Sequence, residues 1–203
     1  AGLVGEDGVT HHGAFDLAAY RVLPNCIVSA PSDEAELRDL MYTALHHDSG
    51  PFIIRYPRGE AEGVQWRDAA PEALPVGKAT RLLHGKSIAV VAIGPAVARS
   101  VEAASCFPGE VGVYNFRFLK PLDTAMLDEI LASYGTVITV EDGSLAGGLY
   151  GAVCEYVQKA GSKVRVAGLG LPDIFIQHDK QSAQRAAAGI DKDGICAKIK
   201  EFL

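Results

Sequence analysis

The stretch Ser87-Ile-Ala-Val-Val-Ala-Ile-Gly-Pro95 decides the fold class. The unbroken apolar run from Ile88 to Ile93 is typical of a strand buried on both faces, and Gly94-Pro95 ends it. Such a strand belongs to a parallel sheet covered by helices on both sides. The sequence after it alternates in the same way and predicts helix 96–106, strand 111–116, helix 124–133, strand 136–140, helix 147–159, strand 163–166 and a last helix over 192–202. These elements predict a small doubly wound α/β domain.

The sequence before this domain alternates strands with a helix and indicates the end of a second α/β unit, also with a parallel sheet. Short apolar runs predict strands over 2–5, 26–30 and 52–56. Residues 33–46 have apolar residues at helical spacing, and Ser32 is the expected N-cap. Residues 57–77 contain prolines and glycines without a periodic apolar face, so we expect an extended connector there.

Composition excludes several classes of protein. The chain has 203 residues, of which 48% are hydrophobic and 22% charged, as in ordinary globular proteins. A formal net charge of −6 gives no basic surface for nucleic acid, and no apolar run is long enough to cross a membrane. The four cysteines form no C-x-x-C pair, so we expect free thiols in a reducing compartment and no metal site.

The segment richest in chemistry is Gly5-Glu-Asp-Gly-Val-Thr-His-His-Gly-Ala-Phe-Asp16. It follows a predicted strand, and ligands of parallel sheets bind beyond the carboxyl ends of strands. A loop histidine near a carboxylate can be held in one tautomer for proton transfer or charge stabilisation. A solvated loop in which Asp7 and Thr10 only make turn hydrogen bonds is equally compatible with the spacing. His11 and His12 are a poor metal pair, because adjacent residues rarely reach one ion.

Arg55-Tyr-Pro-Arg-Gly59 ends the third predicted strand. An arginine at the carboxyl end of a strand is well placed to make a two-point contact with a phosphate or carboxylate. An exposed arginine on a linker is the alternative interpretation.

A third segment, Gly143-Ser-Leu-Ala-Gly-Gly-Leu-Tyr-Gly151, precedes a predicted helix. Its spacing fits neither G-x-G-x-x-G nor G-x-x-x-x-G-K-[ST]. We therefore favour a tight strand-to-helix turn over a phosphate cradle, and we expect Glu141 to be buried or interfacial rather than catalytic.

Together, these segments resemble the 1-deoxy-D-xylulose-5-phosphate synthases, a family of transketolase-like thiamine-diphosphate enzymes. The matching segments are Gly5-Glu-Asp-Gly-Val-Thr-His11, Gly13-Ala-Phe-Asp16, Arg21-Val-Leu-Pro-Asn25, Ala30-Pro-Ser-Asp-Glu34, Arg55-Tyr-Pro-Arg-Gly59, Phe118-Leu-Lys-Pro-Leu-Asp123, Val140-Glu141, Gly147-Gly148 and Gly170-Leu-Pro-Asp-Ile-Phe175. G-E-D-G-x-T-H is shared with transketolases in general, whereas G-A-F-D with R-Y-P-R-G points to the synthases.

The resemblance implies an enzyme of three α/β domains. Residues 1–70 would be the C-terminal part of the pyrimidine-binding domain plus a linker, and residues 71–203 the transketolase C-terminal-like domain. The full-length enzyme would use thiamine diphosphate and Mg²⁺, act as a homodimer, and lie in the cytoplasm, or in the plastid stroma of a plant. The family's metal motif and its aminopyrimidine-binding residues are absent. Cofactor-binding residues are therefore expected upstream of Ala1, and this chain alone is expected to bind no cofactor and to be inactive.

The family reaction condenses pyruvate with glyceraldehyde 3-phosphate and releases CO2. His11 matches the family histidine that contacts the reacting group on thiamine, and Asp7 matches the aspartate of the same loop. Arg58 matches the arginine that binds the phosphate of glyceraldehyde 3-phosphate. Two alternatives stay open: the C-terminal half or a subunit of a transketolase, and a non-catalytic α/β dimerisation module.

Overall fold

The computed structural model describes residues 1–203 as two sheets with helices packed against them. The strands are β1 Ile27–Ser29, β2 Phe52–Ile54, β3 Thr80–Leu83, β4 Ile88–Ala92, β5 Val111–Asn115, β6 Phe118–Lys120, β7 Thr136–Ser144 and β8 Arg165–Leu171. The helices are α1 Asp16–Arg21, α2 Glu34–Leu45, α3 Ala96–Ala104, α4 Thr124–Ser133, α5 Leu149–Lys159, α6 Gln181–Ala187 and α7 Lys192–Lys200. None of these helices has the length and apolar character needed to span a membrane.

The larger sheet has the strand order β3-β5-β4-β7-β8, with β4 at its centre. β4 pairs in parallel with β5 and β7, and β7 pairs in parallel with β8. Alternate residues of Ile88–Ile93 enter two cores, one shared with α4 and α5 and the other with α3 and α7. The predicted doubly wound parallel sheet is therefore confirmed. The antiparallel edge strand β3 was not predicted, because its two central residues are exposed and show no apolar alternation.

The smaller sheet has the order β2-β1-β6. β1 and β2 are parallel, as predicted, whereas β6 comes from the second half of the chain and pairs antiparallel with β1. Leu17 and Val28 belong to the same buried cluster as Val91 and Phe116. The two halves of the chain thus share one hydrophobic core, and residues 57–77 run between them without helix or strand.

Two local predictions are wrong. Residues 2–5 form no strand: Gly2 makes an isolated bridge to Gly13, and a short 3-10 helix begins at Gly5. The positive φ angles of Gly2 and Gly5, 69° and 77°, break the extended backbone. The N-cap of α2 is Asp33 rather than Ser32, since the Asp33 side chain accepts a hydrogen bond from the amide of Glu36, the third residue of the helix.

Candidate active site

The polar N-terminal segment forms a closed loop. The amides and carbonyls of Gly2 and Gly13 exchange hydrogen bonds of 3.1 and 2.9 Å, which pin the loop at its base. The 3-10 helix over Gly5–Asp7 lies within it. Gly8, at the end of that helix, has a φ of 69°, a region that other residues rarely adopt. The loop therefore presents its polar side chains from a fixed backbone.

The two adjacent histidines of this loop have different surroundings. His12 is half-buried, and its Nδ1 accepts a hydrogen bond from the Val4 amide at 3.1 Å. Its Nε2 therefore carries the proton and donates to the carbonyl of Ile176 at 3.0 Å. His11 is exposed, and its Nδ1 contacts the Thr10 hydroxyl at 3.0 Å. His12 is thus structural, whereas His11 keeps Nε2 available for chemistry.

Two predicted site residues, Asp7 and Arg58, meet in an ion pair between Asp7 Oδ2 and Arg58 Nη1. Asp7 ends the 3-10 helix, and Arg58 follows β2 on the connector. Their side chains are 39% and 60% exposed, so both are accessible from solvent. A guanidinium that is oriented by one carboxylate still has donors for a second anion. His11 lies in the same loop as Asp7 but makes no hydrogen bond to either partner.

Arg55, the first residue after β2, is structural. Its side chain is buried, and its Nε donates to Asp16 Oδ1 at 2.6 Å. Its Nη2 donates to the carbonyl of Gly13 at 2.8 Å and to the carbonyl of Asp142. The guanidinium joins the N-terminal loop, α1 and β7. Of the two arginines in the R-Y-P-R-G segment, only Arg58 is open to a ligand.

The glycine-rich segment encloses a carboxylate of the chain itself. Glu141 in β7 is fully buried, and its two oxygens accept hydrogen bonds of 2.8 and 2.9 Å from the amides of Leu149 and Tyr150. Burial raises the pKa of Glu141 to about 7, against the opposing effect of these amides and two nearby arginines. A Cβ at Gly148 would lie 2.1 Å from a Glu141 oxygen. The predicted strand-to-helix turn and the buried Glu141 are confirmed.

Sequence reasoning missed two glutamines of α6 that contact the site loops. The Gln184 side chain bonds to both the amide and the carbonyl of Gly5. Gln181 donates to the carbonyls of Leu3 and Arg58. Single amides in a polar segment carry no spacing signal, and their partners lie more than 120 positions away in the sequence.

A cavity of about 530 Å³ opens beside Arg58, between α1 and the strands β1 and β2. Asp16 and Tyr20 line it from α1, and Ile53 lines it from β2. An apolar wall with a guanidinium at its edge suits a small anionic molecule. No group of three His, Cys, Asp or Glu side chains in the chain could hold a metal ion.

Comparison with known families fits this architecture. Residues 77–195 match the family described as "Transketolase, C-terminal domain", and residues 1–64 match "Transketolase, pyrimidine binding domain". The chain belongs to the transketolase family. The predicted fold class, a pyrimidine-binding segment followed by a transketolase C-terminal-like domain, is confirmed.

Within the transketolase family, the chain is similar to 1-deoxy-D-xylulose-5-phosphate synthases. It is 46% identical to the enzyme of that name from Phocaeicola vulgatus and 44% identical to the one from Aquifex aeolicus. Each comparison covers 100% of this chain and 32% of the relative, so the chain spans about a third of the length of these relatives. The resemblance to this family is confirmed.

Solved structures of transketolases have the same fold. A split-gene transketolase, solved as an inactive beta4 tetramer, gives a TM-score of 0.87 at 31% identity and covers 97% of this chain and 64% of that one. A transketolase from Pichia stipitis gives a TM-score of 0.70 at 20% identity, over 98% of this chain and 28% of that one. The second comparison concerns the fold alone.

Proposed function

We propose that the chain is the C-terminal portion of a 1-deoxy-D-xylulose-5-phosphate synthase. The whole enzyme condenses pyruvate with glyceraldehyde 3-phosphate, releases CO2, and supplies the isoprenoid, thiamine and pyridoxal pathways. The observation that carries this function is the Asp7–Arg58 ion pair beside an open cavity, in a chain 46% identical to such a synthase. We assign residues 1–70 to the end of the pyrimidine-binding domain plus a linker, and residues 71–203 to the transketolase C-terminal-like domain.

Arg58 is the proposed binding residue for the phosphate of glyceraldehyde 3-phosphate. Its side chain is 60% exposed and its guanidinium contacts a single carboxylate, so several donors are free for phosphate oxygens. The planar fork of arginine matches two phosphate oxygens at once. The Asp7 carboxylate holds the guanidinium at the rim of the cavity before the substrate arrives.

His11 and Asp7 are the proposed catalytic residues of the N-terminal loop. His11 is exposed, and its Nδ1 is in contact with the Thr10 hydroxyl. Its Nε2 can give a proton to an oxygen on which negative charge develops, or take one from it. Asp7 keeps the phosphate-binding arginine beside this histidine loop.

The family uses thiamine diphosphate, which supplies the carbanion chemistry when it is bound. The residues of this chain do not by themselves fit the diphosphate and Mg²⁺, because no cluster of three ligating side chains is present and Asp7 is neutralised by Arg58. We place the cofactor-binding residues upstream of Ala1, in the part of the relatives that this chain does not cover.

A homodimer in the cytoplasm is the proposed state of the whole enzyme. Phe15, Ile174 and Phe175 expose 56%, 69% and 67% of their surface, and the two phenylalanine rings pack edge to face. An exposed apolar patch of this kind favours cover by another protein surface. The four free cysteines favour a reducing compartment.

The deciding experiment uses the polypeptide that joins this chain to the upstream family domains. It is given glyceraldehyde 3-phosphate with either pyruvate or a ketose phosphate donor, and CO2 and sugar products are measured. We expect CO2 release and deoxyxylulose phosphate with pyruvate, and no two-carbon transfer from the ketose.

Two other outcomes assign other functions. Transfer from the ketose without use of pyruvate makes the protein a transketolase, the second candidate, which the 31% identity to a split-gene transketolase favours. Turnover of neither donor makes it a non-catalytic α/β dimerisation module. The isolated 203-residue chain is expected to give no product, so deoxyxylulose phosphate from that chain alone would contradict our placement of the cofactor site.

A further inference from the structure

The floor of the N-terminal loop is built by a segment of the other half of the chain, residues 176–184. The Ile176 carbonyl accepts from the His12 ring. A Cβ at Gly8 would lie 3.0 Å from the Cβ of His178, so the loop backbone rests directly on this segment. The last residues of the segment belong to α6, which lies at the far end of the sequence from the loop.

Gln184 holds the start of the 3-10 helix at both of its backbone groups. Its Oε1 accepts from the Gly5 amide at 3.0 Å, and its Nε2 donates to the Gly5 carbonyl at 2.9 Å. The same Nε2 donates to the carbonyl of Gln177 at 2.8 Å. Gln184 is 2% exposed, so these bonds are shielded from water. A fixed Gly5 fixes the turn that ends at Asp7.

Gln181, one helical turn earlier, joins the loop that carries Arg58 to the start of the N-terminal loop. Its Nε2 donates to the carbonyl of Arg58 at 3.1 Å and to the carbonyl of Leu3. Residues three apart on a helix lie on one face, so one face of α6 contacts both loops of the site. Asp7 and Arg58 meet at the point where these two loops touch.

We propose that Gln181 and Gln184 are positioning residues of the active site. Through them the C-terminal domain sets the backbones that carry Arg58 and the Asp7–His11 loop. This inference rests on the proposed synthase function for its kinetic consequences, whereas its structural consequence is independent of any activity.

The two glutamines act on different kinetic constants. Loss of the Gln184 bonds frees the loop of His11, and an error of about 1 Å in a catalytic group can cost up to ~100-fold in rate. We expect Gln184→Met, which keeps the length of the side chain, to lower kcat by about 10-fold. We expect Gln181→Met to raise KM for glyceraldehyde 3-phosphate by about 5-fold and to leave KM for unphosphorylated glyceraldehyde within about 2-fold, because it loosens the phosphate-binding loop.

The experiment uses the full polypeptide with the variants Gln184→Met and Gln181→Met, and with Gln158→Met as the matched control. Gln158 is an exposed residue of α5 away from the loops. Steady-state kinetics with both aldehydes are measured together with amide hydrogen exchange over residues 2–13. We expect faster exchange in that segment for Gln184→Met and rates like those of the unmodified protein for the control.

A double variant separates positioning from general destabilisation. If Gln184 acts through the histidine loop, then Gln184→Met added to His11→Ala lowers kcat much less than it does in the parent enzyme. Equal losses in both backgrounds, or kinetics and exchange that match Gln158→Met, would overturn the proposal. If Gln184→Met does not fold, the proposal is tested with Gln181→Met, because Gln181 is only half-buried. A KM for glyceraldehyde 3-phosphate that does not rise relative to the KM for glyceraldehyde in this variant would then overturn the proposal.

Failure of the synthase function is recognisable separately. It appears as absence of pyruvate turnover in the unmodified polypeptide. Failure of the positioning role appears as unchanged hydrogen exchange of the loop in Gln184→Met, whatever the activity.

Discussion

Arg55, which is buried, and Asp16, which is half-buried, form an ion pair, with Arg55 Nε and Asp16 Oδ1 2.6 Å apart. The Arg55 side chain is 3% exposed, and its remaining contacts are carbonyls of Gly13 and Asp142. A buried cation is tolerated only when its donors are satisfied, so this arginine is matched to three segments at once. It fixes the relation between the N-terminal loop and the larger sheet.

Replacement of Arg55 is therefore expected to destabilise the protein strongly. Arg55→Met removes the cationic partner of the Asp16 carboxylate and one donor from each of the carbonyls of Gly13 and Asp142, at a cost of about 3–5 kcal/mol in the free energy of unfolding. Arg55→Lys keeps the charge but reaches fewer acceptors, so we expect it to lower the free energy of unfolding by less than Arg55→Met does. Urea denaturation of the full polypeptide measures both. The control is Arg81→Met at an exposed ion pair, which is expected to change stability by less than about 1 kcal/mol. Equal effects of Arg55→Met and Arg81→Met would refute the role of Arg55.

Arg58 should act on the phosphorylated acceptor alone. Arg58→Ala removes a charge-assisted contact of about 1.5–3 kcal/mol, which is about 10- to 100-fold in kcat/KM for glyceraldehyde 3-phosphate. The loss should be smaller for glyceraldehyde, and Arg58→Lys should recover only part of it. Steady-state kinetics with both aldehydes, and with Arg81→Ala as control, test this. Equal losses for both aldehydes would make Arg58 structural.

His11 should contribute to the chemical step. We expect His11→Ala to lower kcat by about 100-fold while the circular dichroism spectrum and the unfolding midpoint stay unchanged, the effect of losing one positioned acid–base group. His84→Ala, at an exposed position between β3 and β4, is the control. A kcat close to that of the unmodified enzyme would return His11 to the role of a solvated loop residue.

Glu141 should make stability depend on pH between its two pKa values. The pKa is about 7 in the folded chain, against 4.5 for an unperturbed glutamate. Between these values the folded chain holds a proton that the unfolded chain has lost. The free energy of unfolding therefore falls as pH rises through this window, by about 3 kcal/mol in total for this one residue. Below pH 4.5 both states are protonated, and the effect vanishes.

The variant Glu141→Gln removes this dependence. Its stability relative to the unmodified protein should improve by about 3 kcal/mol between pH 4 and pH 8, although the amide accepts only one of the two backbone hydrogen bonds. Urea denaturation at several pH values gives the difference, and Glu102→Gln at an exposed site should show none. Parallel pH curves for Glu141→Gln and the unmodified protein would contradict the raised pKa.

The sequence predicts the larger sheet well because β4 is an unbroken apolar run, and such a run has few structural alternatives. It predicts the smaller sheet only in part. β6 has three residues and is a strand because β1 provides its partner, so no local pattern identifies it. The short helices α1 and α6 are likewise held by tertiary contacts rather than by propensity.

The candidate site, like the fold, is predictable from the sequence only in part. The types of residue in the loop identify His11 and Asp7 as candidates, and the ion pair of Asp7 with Arg58 is consistent with a shared site. The division of labour between His11 and His12 depends on the Val4 amide and the Ile176 carbonyl, which the sequence does not bring together. Long-range backbone partners of this kind have no sequence signature.

The contact between Gly5 and Gln184 joins residues 179 positions apart. At a synthesis rate of about 5–20 residues per second, a ribosome needs about ten to forty seconds to travel from one to the other. During that interval the histidine loop lacks the segment on which it rests, whereas β1 and β2 are synthesised early in the same interval. The shape of the loop is therefore among the last features that the nascent chain acquires, and a premature stop codon before α6 damages the loop at the opposite end of the sequence.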